Sequence, residues 1–171
     1  MGGGRPGQGG GWVCAARNLC SGGGSALVAR GREVAGAGRG VTHGAVGGYV
    51  GEADRLQGHF AAQTPDLVFH AAALKHVSMV ERHPCEGVLT NVIGTWNVAE
   101  AARLCGAAQM VLISTDKAVD PTNVMGATKR LAEAVIQAQQ THGGKTRVFA
   151  VRCGNVLCSP GAVLPTLQAE G

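Results

Sequence analysis

Residues 114–117 (Ser-Thr-Asp-Lys) carry the side chains in this sequence that are best suited to chemistry. They follow the apolar run 110–113, which has the length and composition of a buried strand. The neighbouring carboxylate and amine of Asp116 and Lys117 can serve opposed proton functions, and Thr115 offers a hydroxyl. The alternative is an exposed Asp–Lys ion pair at a turn, which would contribute little.

A predicted helix over residues 123–140 carries two further candidates. Lys129 lies four residues after Met125, so both side chains project from the same face of this helix. Met125 could equally fill a gap in the core, which is the usual role of a helical methionine. Asn91 lies between apolar positions of another predicted helix, where a side-chain amide needs hydrogen-bond partners.

The elements that must position these residues alternate between strand and helix. Strands are predicted over residues 67–71, 110–113 and 147–152, and helices over 88–104 and 123–140. In the first of these helices the apolar residues recur at helical spacing and predict its buried face: Val88, Val92, Trp96, Ala99 and Leu104. The alternation predicts a parallel sheet covered on both faces. His70, residues 114–117 and residues 153–155 then converge at the carboxyl ends of the strands, where such sheets bind ligands.

Glycine divides the chain into two parts. The 171 residues suffice for one domain, and 18 of the 28 glycines lie before residue 52. We therefore predict a poorly determined Gly-rich segment over residues 1–45 and a folded domain over 46–171. Residues 10–19 are the candidate first strand, and residues 21–28 are faintly similar to a phosphate-binding loop. The predicted fold class is α/β, a Rossmann-type doubly wound sheet with an incomplete first βαβ unit.

Composition argues against several classes of protein. The net charge of +4 contains no long block of like charges, so a nucleic-acid partner is not expected. No apolar run of about 18 residues and no secretory leader are found in the sequence. The six cysteines form no CxxC pair, and Cys153 and Cys158 lack a neighbouring histidine cluster, so no metal site is predicted. Reduced thiols and a cytoplasmic location are expected.

Five segments together resemble the extended short-chain dehydrogenase/reductases, and among them the UDP-N-acetylglucosamine 4,6-dehydratases of polysaccharide biosynthesis. They come in the family's order at the family's spacing and are residues 69–77 (FHAAALKHV), 90–95 (TNVIGT), 112–118 (LISTDKA), 123–130 (NVMGATKR) and 152–157 (RCGNVL).

The resemblance implies a reaction and its catalytic residues. NAD or NADP would take hydride from C4 of a UDP-sugar and return it to C6, after water has left across C5 and C6. Asp116 would act as the general acid and Lys117 as the general base, a role that requires a neutral amine and is favoured by a partly desolvated pocket. Thr115 would hydrogen-bond the sugar O4.

The resemblance also assigns Met125 and Lys129. In the wider superfamily these places hold a tyrosine and a lysine, and the lysine binds the nicotinamide ribose. A thioether cannot accept the C4 hydroxyl proton as a phenolate does, so Met125 implies the branch of dehydratases that lacks the tyrosine. Deprotonation at C4 is then left to Thr115 and Asp116.

Further contacts follow from the same resemblance. His70, Ala71, Ala72, Asn91 and Ser114 are expected beside the cofactor, and Lys75, His76 and Asn155 beside the sugar nucleotide. The chain stops before the segment that usually completes the sugar pocket, so a truncated form is expected. Two alternatives stay open: a non-catalytic relative that keeps the sheet but not the cofactor, and a nucleotide-sugar epimerase or reductase. Assembly into a homo-oligomer is a separate expectation.

Overall fold

The computed structural model describes residues 26–30, 42–46, 50–141 and 144–154. Its strands are β1 (Ala26–Arg30), β2 (Thr42–Val46), β3 (Leu67–His70), β4 (Gln109–Thr115) and β5 (Arg147–Cys153). Its α-helices are α1 (Ala53–Gln63), α2 (Val77–Arg82), α3 (Pro84–Val88), α4 (Gly94–Leu104) and α5 (Val124–Thr141). A π-helical segment, Leu89–Ile93, joins α3 to α4, and a 3₁₀ turn, Asp116–Ala118, follows β4.

The five strands form one sheet in the order β2-β1-β3-β4-β5. β4 pairs in parallel with β3 on one side and with β5 on the other. His70 is aligned with Leu112, and Thr115 is aligned with Cys153. The carboxyl ends of all three strands therefore lie at one edge of the sheet, as the alternation of strands and helices predicts.

The described helices cover one face of the parallel strands. Along β4, Met110, Leu112 and Ser114 are buried, whereas the residues between them are half-buried. A main core cluster joins α1 and α4 to this face: Val50, Leu56, Phe60, Val68, Ala72, Val98, Ala99, Ala101, Ala102, Ala107 and Met110. A smaller cluster under α5 consists of Leu112, Ala132 and Ile136, with Val148 packed against it.

On the opposite face, the described side chains of β4 and β5 are only partly covered. On β5, Phe149 and Val151 are 45% and 47% exposed. They are aligned with Val111 and Ile113 of β4, which are half-buried. Within the described residues β5 is an edge strand of the sheet.

The predicted helix over residues 88–104 is longer and interrupted. Helical structure begins at Pro84, and the π-helical segment shifts the face that turns toward the core. Of the predicted buried face, Ala99 is buried and Val92 half-buried, but Val88, Trp96 and Leu104 are 38%, 44% and 57% exposed. That part of the prediction is wrong: Val88 is separated from Ala99 by the π-helical segment, across which 3.6-residue spacing does not hold, and Leu104, five residues after Ala99, lies on a different side of α4.

The first strand runs in the direction opposite to that of a Rossmann βαβ unit. β1 pairs antiparallel with both β2 and β3, with Ala26 opposite His70 and Ala29 opposite Leu67. The carboxyl end of β1 thus lies at the edge away from the site, and β1 with β2 does not form a βαβ unit. The sheet also extends into the segment 1–45 that the sequence left undetermined. The candidate strand at residues 10–19 lies outside the described residues, and of residues 21–28 only the last three are described, as part of β1.

The remaining strand and helix predictions agree with the structure to within a few residues. β3 ends at His70 rather than residue 71, and α5 covers residues 124–141 rather than 123–140. β4 extends through Thr115, so Ser114 and Thr115 belong to the strand and not to the loop after it. No helix in the described part of the chain is long and apolar enough to cross a membrane.

The contact between α4 and the residues before α1 can be tested with two glycine substitutions. A Cβ added at Gly94 would overlap the Val50 side chain, whereas one added at Gly58, within α1, meets nothing within 4 Å. Gly94→Ala should therefore lower the free energy of unfolding by about 1–3 kcal/mol through overpacking. Gly58→Ala should raise it by about 0.5–1 kcal/mol through backbone entropy. Urea unfolding measures both, and equal effects would contradict the proposed packing.

Candidate active site

The end of β4 presents Thr115, Asp116 and Lys117 at the carboxyl edge of the sheet. The Thr115 hydroxyl donates to Asp116 Oδ1 at 2.9 Å and accepts a weaker bond from the Lys117 backbone N–H at 3.4 Å. These bonds start the 3₁₀ turn, in which Asp116 and Lys117 are exposed. The partly desolvated environment expected for Lys117 is thus not supplied by the described residues, and both charged groups face a ligand or solvent directly.

Two neighbouring elements approach this turn closely. A Cβ added at Gly126, in the first turn of α5, would overlap the Lys117 carbonyl oxygen. A Cβ added at Gly154, just after β5, would lie 3.9 Å from Asp116 Oδ2. Residues that follow β4 and β5 and the first turn of α5 therefore meet around Asp116 and Lys117; of the three strand ends predicted to converge, this group includes those of β4 and β5.

The first turns of α5 orient Met125 and Lys129 toward the sheet. Asn123 Oδ1 accepts from Gly126 N–H at 2.8 Å, and Glu81 Oε1 accepts from Val124 N–H at 2.7 Å, so the helix N-terminus is capped from two sides. Met125 is 2% exposed and Lys129 is 7% exposed. The Lys129 Nζ donates to the Ile113 carbonyl oxygen at 3.2 Å, which places the ammonium beside the end of β4.

His70, at the end of β3, is fully buried against α4 rather than open to a ligand. Thr95 donates its hydroxyl proton to the Asn91 carbonyl oxygen at 2.6 Å, so His70 Nε2 must donate to Thr95 Oγ1, at 3.0 Å. Nδ1 is then the acceptor and has no partner in the described structure. Burial, aided by the charge of Lys129, lowers the His70 pKa from 6.5 to about 3. The imidazole is therefore neutral, and its side chain offers no surface to the cofactor contact predicted for it.

Asn91 fastens the loop after β3 instead of presenting its amide to a ligand. Its Oδ1 accepts from Leu74 N–H at 2.8 Å, and its Nδ2 donates to Leu74 O at 3.1 Å and to Thr128 Oγ1 at 2.9 Å. Both amide hydrogens are thereby used. The predicted need for hydrogen-bond partners is met, but by protein groups, so Asn91 joins the loop 71–76 to α5.

A buried carboxylate at Glu133 lies under the same edge and was missed by the sequence analysis. Glu133 accepts from Ser114 Oγ at 2.7 Å and from Arg152 Nε and Nη2 at 2.9 and 2.7 Å, with Arg130 Nη1 at 3.3 Å. Hydrogen bonding from Arg152 lowers the pKa of Glu133 to about 2, although burial opposes this shift. The spacing Lys129–Glu133, one helical turn, was the available signal. Ser114 thus turns its hydroxyl toward Glu133 and away from the predicted cofactor contact.

The other predicted contacts are distributed along the loop after β3. Ala72 is buried, Ala71 and Lys75 are half-buried, and His76 is exposed at the start of α2. Asn155, predicted to contact substrate, lies outside the described residues, as does Cys158. Among the described residues no group of three or more His, Cys, Asp or Glu side chains is arranged to hold a metal.

A groove between α1 and α4 shares no residues with this site. It has a volume of about 190 Å³ and is lined by Gln57, Ala61, Ala101, Leu104 and Cys105. Burial raises the pKa of the Cys105 thiol, so this cysteine is a poor nucleophile.

Parallel strands whose carboxyl ends converge on a polar site, with helices connecting them, define a Rossmann-type α/β fold. A family model described as "Polysaccharide biosynthesis protein" matches residues 36–170. This match covers well over half of the chain, so the chain belongs to that family.

Individual relatives agree with this assignment. The chain is 54% identical over 106 residues to the capsular polysaccharide biosynthesis protein CapD of Staphylococcus aureus, covering 62% of this chain and 18% of that protein. It is 44% identical over 107 residues to a UDP-glucose 4-epimerase of Rickettsia bellii, covering 61% and 31%.

Solved structures have the same fold. Pen from Bacillus thuringiensis is 39% identical, with a TM-score of 0.67 over 72% of this chain and 38% of Pen. WbmG from Bordetella bronchiseptica, solved in complex with NAD, is 26% identical, with a TM-score of 0.61 over 73% and 44%. The chain spans less than half the length of each of these proteins.

The buried neutral His70 predicts a pH dependence of stability. Because its folded pKa lies below 6.5, its contribution is present above about pH 6.5 and is lost as the pH falls toward 3. Between about pH 7.5 and pH 5 this histidine alone should remove about 2 kcal/mol from the free energy of unfolding.

Two variants isolate that contribution. His70→Gln keeps an amide donor toward Thr95 but cannot be protonated, so this part of the slope should disappear. His83→Gln changes an exposed histidine and should leave the slope as in the wild type. The same slope in both variants would show that His70 does not titrate as described.

Proposed function

We propose that this chain carries the reacting part of an NAD(P)-dependent nucleotide-sugar 4,6-dehydratase that acts on a UDP-N-acetylglucosamine-type substrate. The observation that carries the proposal is the grouping of Thr115, at the end of β4, with Asp116 and Lys117 in the exposed turn that follows, bordered by Gly126 of α5 and Gly154 after β5. Membership of the polysaccharide biosynthesis family supports a sugar-nucleotide substrate.

The residues near the nicotinamide end of the proposed site fit a dinucleotide. Lys129 is buried at the end of β4 with its ammonium at the site edge, where it would hold the ribose hydroxyls. The half-buried Ala71 and buried Ala72 leave room for close approach of a ligand to the backbone after β3. A bound nicotinamide dinucleotide would supply the hydride acceptor and donor of the reaction. WbmG, with the same fold, binds NAD.

The elimination of water requires two proton transfers of opposite direction. Asp116 would give a proton to the departing C6 hydroxyl, and Lys117 would take the proton from C5, so the sugar loses one water molecule. In the structure the Thr115 hydroxyl donates to Asp116. On sugar binding the Thr115 oxygen would accept a hydrogen bond from the C4 hydroxyl, while its own proton stays directed at Asp116 Oδ1.

The buried Met125 favours a dehydratase without a tyrosine base. Its thioether packs in the core, 2% exposed, and cannot accept a proton from the C4 hydroxyl. That proton would pass to Asp116 through Thr115, which are already hydrogen-bonded to each other.

Two alternatives each have a specific observation in their favour. The relative from Rickettsia bellii is named a UDP-glucose 4-epimerase, which would interconvert C4 epimers without loss of water. The antiparallel β1 favours a non-catalytic relative, because its carboxyl end cannot lead a Gly-rich turn to the pyrophosphate at this edge. Product analysis separates the first alternative from the dehydratase, and cofactor titration separates the second.

Assembly and location also remain predictions. Leu89, Ile93 and Trp96 are each 43–44% exposed at helical spacing on one surface, and Leu131 of α5 is 52% exposed. Such apolar exposure favours a homo-oligomer, which light scattering would measure.

The cytoplasmic location predicted from the cysteine pattern would be tested by cell fractionation.

Asp116→Asn tests the proposed acid. The variant should form the 4-keto-6-deoxy product at least about 100-fold more slowly, since general acid catalysis contributes about that much. Mass spectrometry detects the loss of water from the UDP-sugar, and NMR detects a C4 epimer of unchanged mass. The control is Asp120→Asn, an exposed position with φ of 42° where asparagine is well tolerated. Wild-type dehydration by Asp116→Asn would remove this residue from the mechanism.

Lys129→Met tests the cofactor site. The methionine fills similar space but loses the ammonium, so the Kd for NAD or NADP should rise at least about tenfold. Isothermal titration measures this, with Lys145→Met, which alters an exposed lysine, as the control. If the wild-type chain binds neither dinucleotide at millimolar concentration, the non-catalytic alternative replaces the dehydratase.

A further inference from the structure

Glu133 and Lys129 attach one face of α5 to two consecutive residues of β4. Lys129 donates to the Ile113 carbonyl oxygen, and Glu133 accepts from the Ser114 hydroxyl. The residue that follows Ser114 is Thr115, where the reacting segment 115–117 begins. A shift of α5 by one residue, about 1.5 Å along its axis, would break both attachments.

The same carboxylate also reaches β5. Arg152 donates from Nε to Glu133 Oε1 at 2.9 Å and from Nη2 to Oε2 at 2.7 Å, a bidentate pair with a preferred orientation. Arg152 is aligned with Ser114 in the parallel register and lies two residues before Gly154, which borders Asp116. One buried side chain thus links the ends of both strands that border the site.

Glu133 has no free acceptor position for a substrate. It is 2% exposed, and its two oxygens receive hydrogen bonds from Ser114, Arg152 and Arg130. A buried charge paired in this way is seldom the most stabilising choice for its volume, since apolar replacements often pack as well or better. The paired carboxylate instead fixes the relative position of β4 and β5, because its donors must come from set positions on these two strands.

We propose that Glu133 is a positioning residue, whose buried carboxylate fixes the end of β4 relative to α5 and β5 and thereby sets the geometry of the reacting segment 115–117. This inference rests on the proposed dehydratase function for its kinetic consequence. Its structural consequence, a more mobile segment 114–118 when the carboxylate is altered, does not depend on any activity.

Glu133→Gln is the main test, because glutamine has the same size but presents an NH₂ group to the donors of Arg152 or Ser114. We expect kcat to fall about 10- to 100-fold, the scale on which a displacement near 1 Å affects catalysis. The KM for the UDP-sugar should stay within about threefold, because the substrate does not touch this residue. Arg130→Gln is the matched control: it removes the outer, 3.3 Å partner, which is 55% exposed, and should change kcat less than about twofold.

Ser114→Ala tests the link to β4 by itself and is the second variant if Glu133→Gln does not fold. It deletes one hydroxyl without leaving a donor against Glu133, and it should reproduce part of the fall in kcat. The double variant should be little worse than Glu133→Gln, because both changes break the same connection.

Amide hydrogen exchange decides the inference without reference to turnover. Exchange over residues 114–118 should become faster in Glu133→Gln, or in Ser114→Ala, and remain as in the wild type in Arg130→Gln. Unchanged exchange there, or a uniform increase over all the strands and helices, would overturn the positioning role. If the wild-type chain has no dehydratase activity while the local increase in exchange is observed, the proposed function fails and the positioning role stands.

Discussion

The parallel pairing of β4 with both β3 and β5 is the constraint on which the site depends. Parallel register brings three carboxyl ends to one edge, so that the residues after each strand become neighbours in space although they are about 40 residues apart in sequence. The segment that follows each strand can then contribute different groups to the same site. β3 leads into a loop that begins with small residues, β4 into the turn of Asp116 and Lys117, and β5 into Gly154, which borders Asp116.

Below that edge, buried polar side chains hold the strand ends in place. Asn91 uses its carbonyl oxygen and both amide hydrogens to join the loop after β3 to Thr128 of α5. Glu133 joins β4 to β5 through Ser114 and Arg152. A buried amide or carboxylate without its partners would cost roughly 1–3 kcal/mol or more, so these connections tolerate little displacement. The exposed Asp116 and Lys117 therefore follow strand ends that are held in place by buried side chains, whose hydrogen bonds are all made and have fixed directions.

Those parts of the structure that depend on local pattern could be predicted from sequence. The apolar run before Ser114 and the long helix containing Met125 and Lys129 were predicted to within a few residues, because a buried strand and a one-sided helix have distinct periodicities. The buried face predicted for the helix that ends at Leu104 was wrong, in part because a π-helical segment changes which residues face inward and is not visible in the composition. The Glu133 network was missed because its donors, Ser114 and Arg152, come from strands whose pairing only the tertiary structure fixes.

The direction of β1 separates two requirements of a dinucleotide site, pyrophosphate binding and ribose binding, which a Rossmann unit normally meets together. A Rossmann unit binds pyrophosphate with helix N–H groups reached from a first strand that is parallel to its neighbours. Here β1 is antiparallel to β3, so that source of positive charge is not delivered to the site edge by the described strands. The proposed ribose contact, by contrast, depends on α5 and β4, where the hydrogen bond from Lys129 to the Ile113 carbonyl oxygen is made independently of β1. Under the proposed function, recognition of the nicotinamide half and neutralisation of the phosphates would therefore have separate structural origins, and only the first would depend on the β3–β4–β5 sheet.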